Sequence, residues 1–173
     1  MSLAEKLVAV GALKFGDFIL SSGKRSDVYV DIKLASTYPE ILEEIADAMA
    51  EKLKSVEFDR IACVELGGVP IAVAVSLKTK KPFVIFRKEK KGYGLGDDAV
   101  GEVREGERVV VIEDVVTTGR SAMSAVRKVE ERGGRVVKVL AVVDREESQL
   151  EVDSLLKLSE LLKLKDLVDT SQN

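Results

Sequence analysis

Histidine is missing from all 173 residues of this chain. That excludes Ser-His-Asp and Cys-His nucleophilic catalysis and every His-ligated metal site. There is one cysteine, Cys63, so no internal disulfide framework can form and a reducing compartment suits the chain. Tryptophan is also absent, and aromatic residues total only 5%. No apolar run approaches the ~20 residues needed to span a bilayer. Charge of one sign is not in excess either, with 27 Lys and Arg against 30 Asp and Glu for a formal net charge of -3. Bulk charge therefore advertises neither nucleic acid nor an anionic membrane as a partner. No GxxxxGK[ST] P-loop occurs. The glycines of Gly92-Tyr93-Gly94-Leu95-Gly96 lack the spacing and the strand-to-helix setting of a dinucleotide site.

What is present is a globular composition, 46% apolar and 33% charged. The length is that of one domain and allows roughly 70% of the unfolded surface to be buried. The N-terminus, MSLAEKLVAVGALKFG, carries Glu5 and Lys6 inside its apolar pattern. It reads as an amphipathic helix rather than a leader, which predicts a cytoplasmic protein. Cys63 lies in an apolar strand context and reads as packing rather than as a nucleophile.

Periodicity then orders the chain. Residues 3–13 have helical spacing through Leu3, Leu7, Val10 and Leu13. FGDFIL and DVYVDIKL flank Ser21-Ser22-Gly23 as a hairpin-like pair of short strands. Pro39 opens a helix whose face is Ile41, Leu42, Ile45, Met49 and Leu53. Strands are predicted at Arg60–Glu65, Phe83–Phe86, Val109–Ile112 and Val136–Val143, with a weaker one near Leu155–Leu158. Helices alternate with them at Val69–Leu77 and Ser121–Arg132, and a last one opens near Ser159 with Leu161, Leu162 and Leu164 as its buried side. Continuous apolar strands alternating with helices imply an α/β fold with a parallel sheet covered on both faces. The interval 87–108 breaks this rhythm with five glycines and many basic residues. It reads as either a disordered segment or a mobile anion-handling loop, and its Lys and Arg content favours the second.

The stretch Val109–Ser124, VVVIEDVVTTGRSAMS, carries the chemistry. A buried strand delivers Glu113 and Asp114, and the turn Thr117-Thr118-Gly119-Arg120-Ser121 runs into a helix N-terminus. Unpartnered N–H groups and the positive end of the helix dipole make such a turn a phosphate site. Two carboxylates upstream would repel that phosphate if they faced it. They make sense if they accept hydrogen bonds from the vicinal hydroxyls of a ribose. The pattern points to a ribose 5-phosphate; the blander reading is a Thr-capped turn beside a solvated acidic pair, which does not require the whole combination.

Val109–Ser121 resembles the 5-phosphoribosyl 1-diphosphate (PRPP) signature of type I phosphoribosyltransferases. Three further segments resemble the orotate phosphoribosyltransferases among them. These are the hood segment KFGDFILSSGKRSDVYVD at 14–31, the loop Arg87-Lys88-Glu89 with Lys91, Tyr93 and Gly94, and Asp144-Arg145-Glu146 after the last core strand. LGGVPIA at 66–72 falls in family order between them. Three positions depart from the family pattern: Tyr93 where a histidine is common, Ser21 where a Lys often precedes the Ser-Gly, and Gly67 where a Lys is common.

The resemblance implies a single domain over 1–173, type I phosphoribosyltransferase-like, with a central mostly parallel sheet flanked by helices. It adds a small N-terminal hood, mainly residues 1–35, and a long flexible loop at about 87–108. It implies transfer of the 5-phosphoribosyl group from PRPP to orotate, giving orotidine 5′-monophosphate and pyrophosphate in de novo pyrimidine biosynthesis. A PRPP-binding transcriptional regulator and a transferase for another nucleobase are the alternatives. Lys88, Lys91 and Asp114 are the implied catalytic residues. PRPP contacts fall on Arg87, Lys88, Lys91, Tyr93, Glu113, Asp114, Val115, Val116, Thr117, Thr118, Gly119, Arg120 and Ser121. Orotate contacts fall on Thr117, Arg145 and Tyr29; for Arg145 taken alone, a surface ion pair with Glu146 or Glu147 is the lesser alternative. Mg²⁺ arrives with PRPP and has no direct protein ligand, and the family implies a homodimer that shares the loop between subunits.

Overall fold

The computed structural model describes residues 1–88 and 98–171, with side chains as far as Asp166. The helix α1 (Leu3–Ala9) is shorter than the 3–13 periodicity predicts, because the chain turns at Gly11 and Leu13 opens a strand. Leu13 is buried in either setting, so its apolar character could not separate the two. The hairpin forms as read. Strand β1 (Leu13–Ile19) pairs antiparallel with β2 (Arg25–Val30), and this small sheet is the hood. IKLA then leaves the hairpin as one helical turn, α2 (Ile32–Ala35), whose N-cap Asp31 accepts a hydrogen bond from Leu34 N–H at 3.1 Å.

Helix α3 (Pro39–Leu53) starts on its proline and buries Ile41, Ile45, Met49 and Leu53, one i, i+4 stripe. The main sheet follows: β3 (Arg60–Val64), β4 (Phe83–Phe86), β5 (Ala99–Val100), β6 (Arg108–Val116), β7 (Arg135–Asp144) and β8 (Asp153–Lys157). Their order is β5-β4-β3-β6-β7-β8, parallel throughout except for β5, which runs against β4. The fold is the mostly parallel α/β sheet that the alternating pattern implies. Two strands differ from expectation. β5 and the buried Val103 build residues 98–103, within the stretch read as loop, into the sheet edge and core. β6 continues past Ile112 through the acidic pair to Val116, because its ladder with β7 runs on to Val116↔Asp144.

Helix α4 (Gly68–Thr79) returns from β3 to β4, and α5 (Arg120–Glu131) returns from β6 to β7. The two crossovers step in opposite directions across the sheet, so their helices lie on opposite faces. The buried face of α4 packs with Ile61, Cys63, Val110 and Ile112, whereas Ala122, Ala125 and Val129 of α5 pack with Ala62, Val64, Val109 and Val111. Adjacent strand residues thus feed alternate cores. The point between β3 and β6 where the direction reverses is where open α/β sheets place a crevice. Helix α6 (Leu158–Ser171) docks through buried Leu161 and half-buried Leu164. Leu162, read as part of that face, is instead exposed, because one residue along a helix turns the side chain about 100°.

Candidate active site

A cavity of about 810 Å³ opens at that reversal point, over the carboxyl ends of β3, β4, β6 and β7. The hood closes one side with Ile19, Leu20, Ser21, Tyr29 and Lys33. Arg87, Lys88, Glu113, Asp114, the turn 117–121 and Arg145 all line it, so one crevice gathers sequence segments more than a hundred residues apart.

The turn Thr117–Ser121 is held open by Gly119, which sits at φ +85° as the N-cap of α5. That left-handed conformation favours glycine, and a Cβ there would overlap the Ser148 hydroxyl. Among the described residues, no hydrogen bond from the backbone N–H of Thr117, Thr118 or Gly119 is present. Those donors and the first turn of α5 face the cavity together, which is the arrangement of an anion site.

Glu113 and Asp114 are neighbours on a strand, so they leave the sheet on opposite faces. Glu113 is buried on the α5 side and accepts a hydrogen bond from Ser121 Oγ at 3.2 Å. Burial, with the adjacent Asp114 charge second, pushes its carboxyl up to about 7, against the pull of Ser121 and Lys88. Asp114 lies over the start of α4, so close that a Cβ on Gly67 would fall within its carboxylate. Its Oδ2 is 3.8 Å from Lys33 Nζ of α2. The glycine that departs from the family pattern thus makes room for the carboxylate.

The Glu113 carboxyl predicts a pH dependence. In the unfolded chain it ionises near 4.5, and in the folded chain near 7. Between those values the folded state binds more protons, so stability declines as pH rises from about 4.5 to 7, by on the order of 3 kcal/mol. Glu113→Gln keeps an acceptor for Ser121 and removes the titration. We expect it to melt above wild type at pH 8 and level with it at pH 4. Parallel melting curves across that range would refute a raised Glu113.

Arg145 is buried rather than paired on the surface. Its Nη2 donates to Ser26 Oγ at 2.8 Å and to the Val28 carbonyl at 3.2 Å, both in β2. The alternative, a surface ion pair with Glu146 or Glu147, does not form: Glu147 binds Lys24 at 2.9 Å, and Glu146 accepts from Ser159 N–H. Arg145 Nε is buried without a partner among the described residues. Arg145 therefore pins the hood to the end of β7 and keeps a donor in reserve beside the cavity. Tyr29 stands on the same hood sheet, its ring tilted 36° against Phe18 at 5.6 Å between ring centroids.

Arg87 and Lys88 follow β4. Lys88 N–H donates to Glu65 Oε1 at 2.8 Å, and Arg87 Nε is buried without a partner among the described residues. Lys91 and Tyr93 lie outside the described residues. Cys63 is fully buried, its thiol pushed up to about 12 by burial, which fits packing. The sequence reading missed Lys33, Glu65, Ser26 and Lys128. Lys33 had a signal, a cation just after the hood strand. The others acquire their roles only through contacts formed across the fold.

The phosphoribosyl transferase domain family matches residues 36–164. A curated orotate phosphoribosyltransferase of Archaeoglobus fulgidus is 65% identical over 172 residues, 99% of this chain and 97% of that protein. The crystal structure of orotate phosphoribosyltransferase from Aeropyrum pernix superposes with a TM-score of 0.85 at 31% identity, covering 96% of this chain and 99% of that one. The Mycobacterium tuberculosis orotate phosphoribosyltransferase in complex with PRPP gives a TM-score of 0.71 at 31% identity over 92% of this chain and 98% of that one. With a phosphate-type turn, an acidic strand tip and a buried arginine meeting in one crevice, and with relatives of this identity along nearly its whole length, the chain belongs to the orotate phosphoribosyltransferase family.

Proposed function

We propose that this chain transfers the 5-phosphoribosyl group of PRPP to orotate, releasing pyrophosphate and forming orotidine 5′-monophosphate for pyrimidine biosynthesis. The observation that carries the reading is the convergence of three chemically different subsites on one cavity. The amide-lined turn 117–121, with the Val115–Val116 backbone leading into it, receives the 5-phosphate. Asp114 and Glu113 accept hydrogen bonds from the ribose hydroxyls. Arg87 and Lys88, with Lys91 and Tyr93 of the same loop, take the pyrophosphate, and Arg145, Tyr29 and Thr117 take orotate.

The reaction asks for positioning and charge, which suits a chain without histidine. Positive charge grows on the ribose C1 as the diphosphate leaves. Carboxylates at the sugar hydroxyls hold the ring, and guanidinium and ammonium groups accept the developing charge on the leaving oxygens. The residues present fit Mg²⁺ brought by the substrate, since the carboxylates Glu113 and Asp114 and the cations Lys33, Arg87 and Lys88 line the same cavity. Mg²⁺, if bound, would neutralise charge on the diphosphate leaving group, while Asp114 and Glu113 hold the ribose hydroxyls.

A homodimer belongs to this reading. Its support is the family relationship and the exposed Ile19 and Leu66 at the cavity rim, apolar surface that a second copy can cover. Among the described residues no helix is long and apolar enough to cross a membrane, and a cytoplasmic location is proposed. The test is a panel of bases. With PRPP and Mg²⁺, orotate should lose its absorbance and release pyrophosphate, whereas adenine, guanine, hypoxanthine and uracil should not react. Turnover of a base without a carboxylate would overturn the role of Arg145, and PRPP binding with no turnover would favour a regulator.

A further inference from the structure

We propose that Lys128, Arg132 and Asp98 form a clamp that positions Arg87 and Lys88 for pyrophosphate, tying them to the helix whose other end receives the 5-phosphate. The proposal rests on the assignment of Arg87 and Lys88 to the pyrophosphate subsite.

The geometry converges on the end of β4. Lys128 Nζ donates to the Arg87 carbonyl at 3.0 Å and lies 3.4 Å from Asp98 Oδ2. Arg132 Nη2 donates to the other oxygen of the same carboxylate. Arg87 N–H donates to the Asp98 carbonyl at 2.7 Å. Lys128 and Arg132 also stand over the ring of fully buried Phe86, at 5.8 and 5.1 Å from its centroid. One ammonium therefore holds the backbone at Arg87 and the side chain at Asp98. Both are fixed to one helix, because Lys128 lies in the last turn of α5 and Arg132 is its C-cap.

The clamp is well sheltered, with side-chain exposures of 20% for Lys128 and 14% for Asp98. The two cations hold the Asp98 carboxyl below the usual range although burial opposes them. Shielded charge pairs of this kind fix geometry better than exposed ones, which water and salt loosen. Lys128 is seven positions on from Ser121, at the phosphate turn, which is roughly 10 Å along the helix axis. Helix α5 is thus a rigid spacer. Its N-terminus meets the 5-phosphate, and two turns further on it sets the backbone from which Arg87 and Lys88 project. The buried, unpartnered Nε of Arg87 is the group this arrangement presents.

A merely electrostatic role and a positioning role predict opposite signs for Asp98. Removing its negative charge would, by charge alone, tighten binding of an anion. Loss of positioning would weaken it. The experiment measures affinities of pyrophosphate and of ribose 5-phosphate, each alone, for wild type, Asp98→Asn, Lys128→Met and Lys128→Arg. We expect Asp98→Asn and Lys128→Met each to weaken pyrophosphate about tenfold, the loss of one charged hydrogen bond. Ribose 5-phosphate should stay within a factor of about two. Lys128→Arg should recover most of the pyrophosphate affinity. Unchanged or tighter pyrophosphate binding in Asp98→Asn overturns the clamp, as does an equal loss for both ligands. Should Lys128→Met fail to melt cooperatively, Asp98→Asn decides alone. A wild type that binds ribose 5-phosphate but not pyrophosphate would instead remove the subsite assignment on which the clamp rests.

Discussion

Asp114→Ala should lower kcat/KM by roughly a thousandfold while leaving the fold intact. A carboxylate that accepts two hydrogen bonds from ribose hydroxyls contributes on the order of 3–6 kcal/mol, more as the ring flattens toward its cationic transition state. The structure separates this loss from a folding defect. Asp114 lies near the end of β6 beside Gly67, where a Cβ would overlap its carboxylate, and its ion pair is with Lys33 at 3.8 Å. The Lys33 side chain is 60% exposed and the 3.8 Å separation is too long for a hydrogen bond, so the pair adds little stability. Removing the charge also relieves Glu113, whose carboxyl is raised in part by its neighbour. The melting temperature should therefore stay level or rise slightly. Steady-state kinetics with PRPP varied, alongside thermal melts, checks both halves. Wild-type kinetics in a folded Asp114→Ala protein would end the ribose assignment.

Arg145→Ala should raise the KM for orotate about a hundredfold with the KM for PRPP nearly unchanged. A planar guanidinium matches a carboxylate bidentately, and losing such a pair costs about 3 kcal/mol. The same residue also holds Ser26 and the Val28 carbonyl, so alanine leaves hood acceptors unpaired. Some stability is lost as well, on the order of 1–3 kcal/mol. Arg145→Lys separates the effects, since a point-charge ammonium can keep a hood contact yet cannot form the fork. We expect it to restore the melting temperature more than the orotate KM. A defect confined to PRPP would move Arg145 out of the base subsite.

Much of the site was legible because its segments are local. The run from Val109 to Ser121 holds a strand, an acidic pair and an amide-rich turn within thirteen residues, and each is recognisable from its own side chains. The alternation of apolar strands with helices likewise gave the class of sheet, since both obey short periodicities. Errors arose where burial is not periodic. β5 has only two residues, too few to show any pattern, and it exists because β4 offers it an edge. The C-terminal half of β6 reads as a polar interruption, yet the ladder with β7 carries it onward. For Arg145 a surface ion pair stayed open as the lesser alternative, because nothing in DREE tells which side of the chain will be covered by the hood.

The order of residues alone determined the strand-to-helix turn, the absence of any histidine chemistry and the presence of two carboxylates beside a phosphate-type bend. These depend on neighbours in the chain. Only the tertiary structure decided that the ladder with β7 carries β6 through the acidic pair, that Arg145 is buried against the hood, and that Lys128 of α5 grips the end of β4. The reason is physical. Charge and hydrogen-bonding capacity belong to each residue, but desolvation and pairing belong to whatever the fold places opposite it.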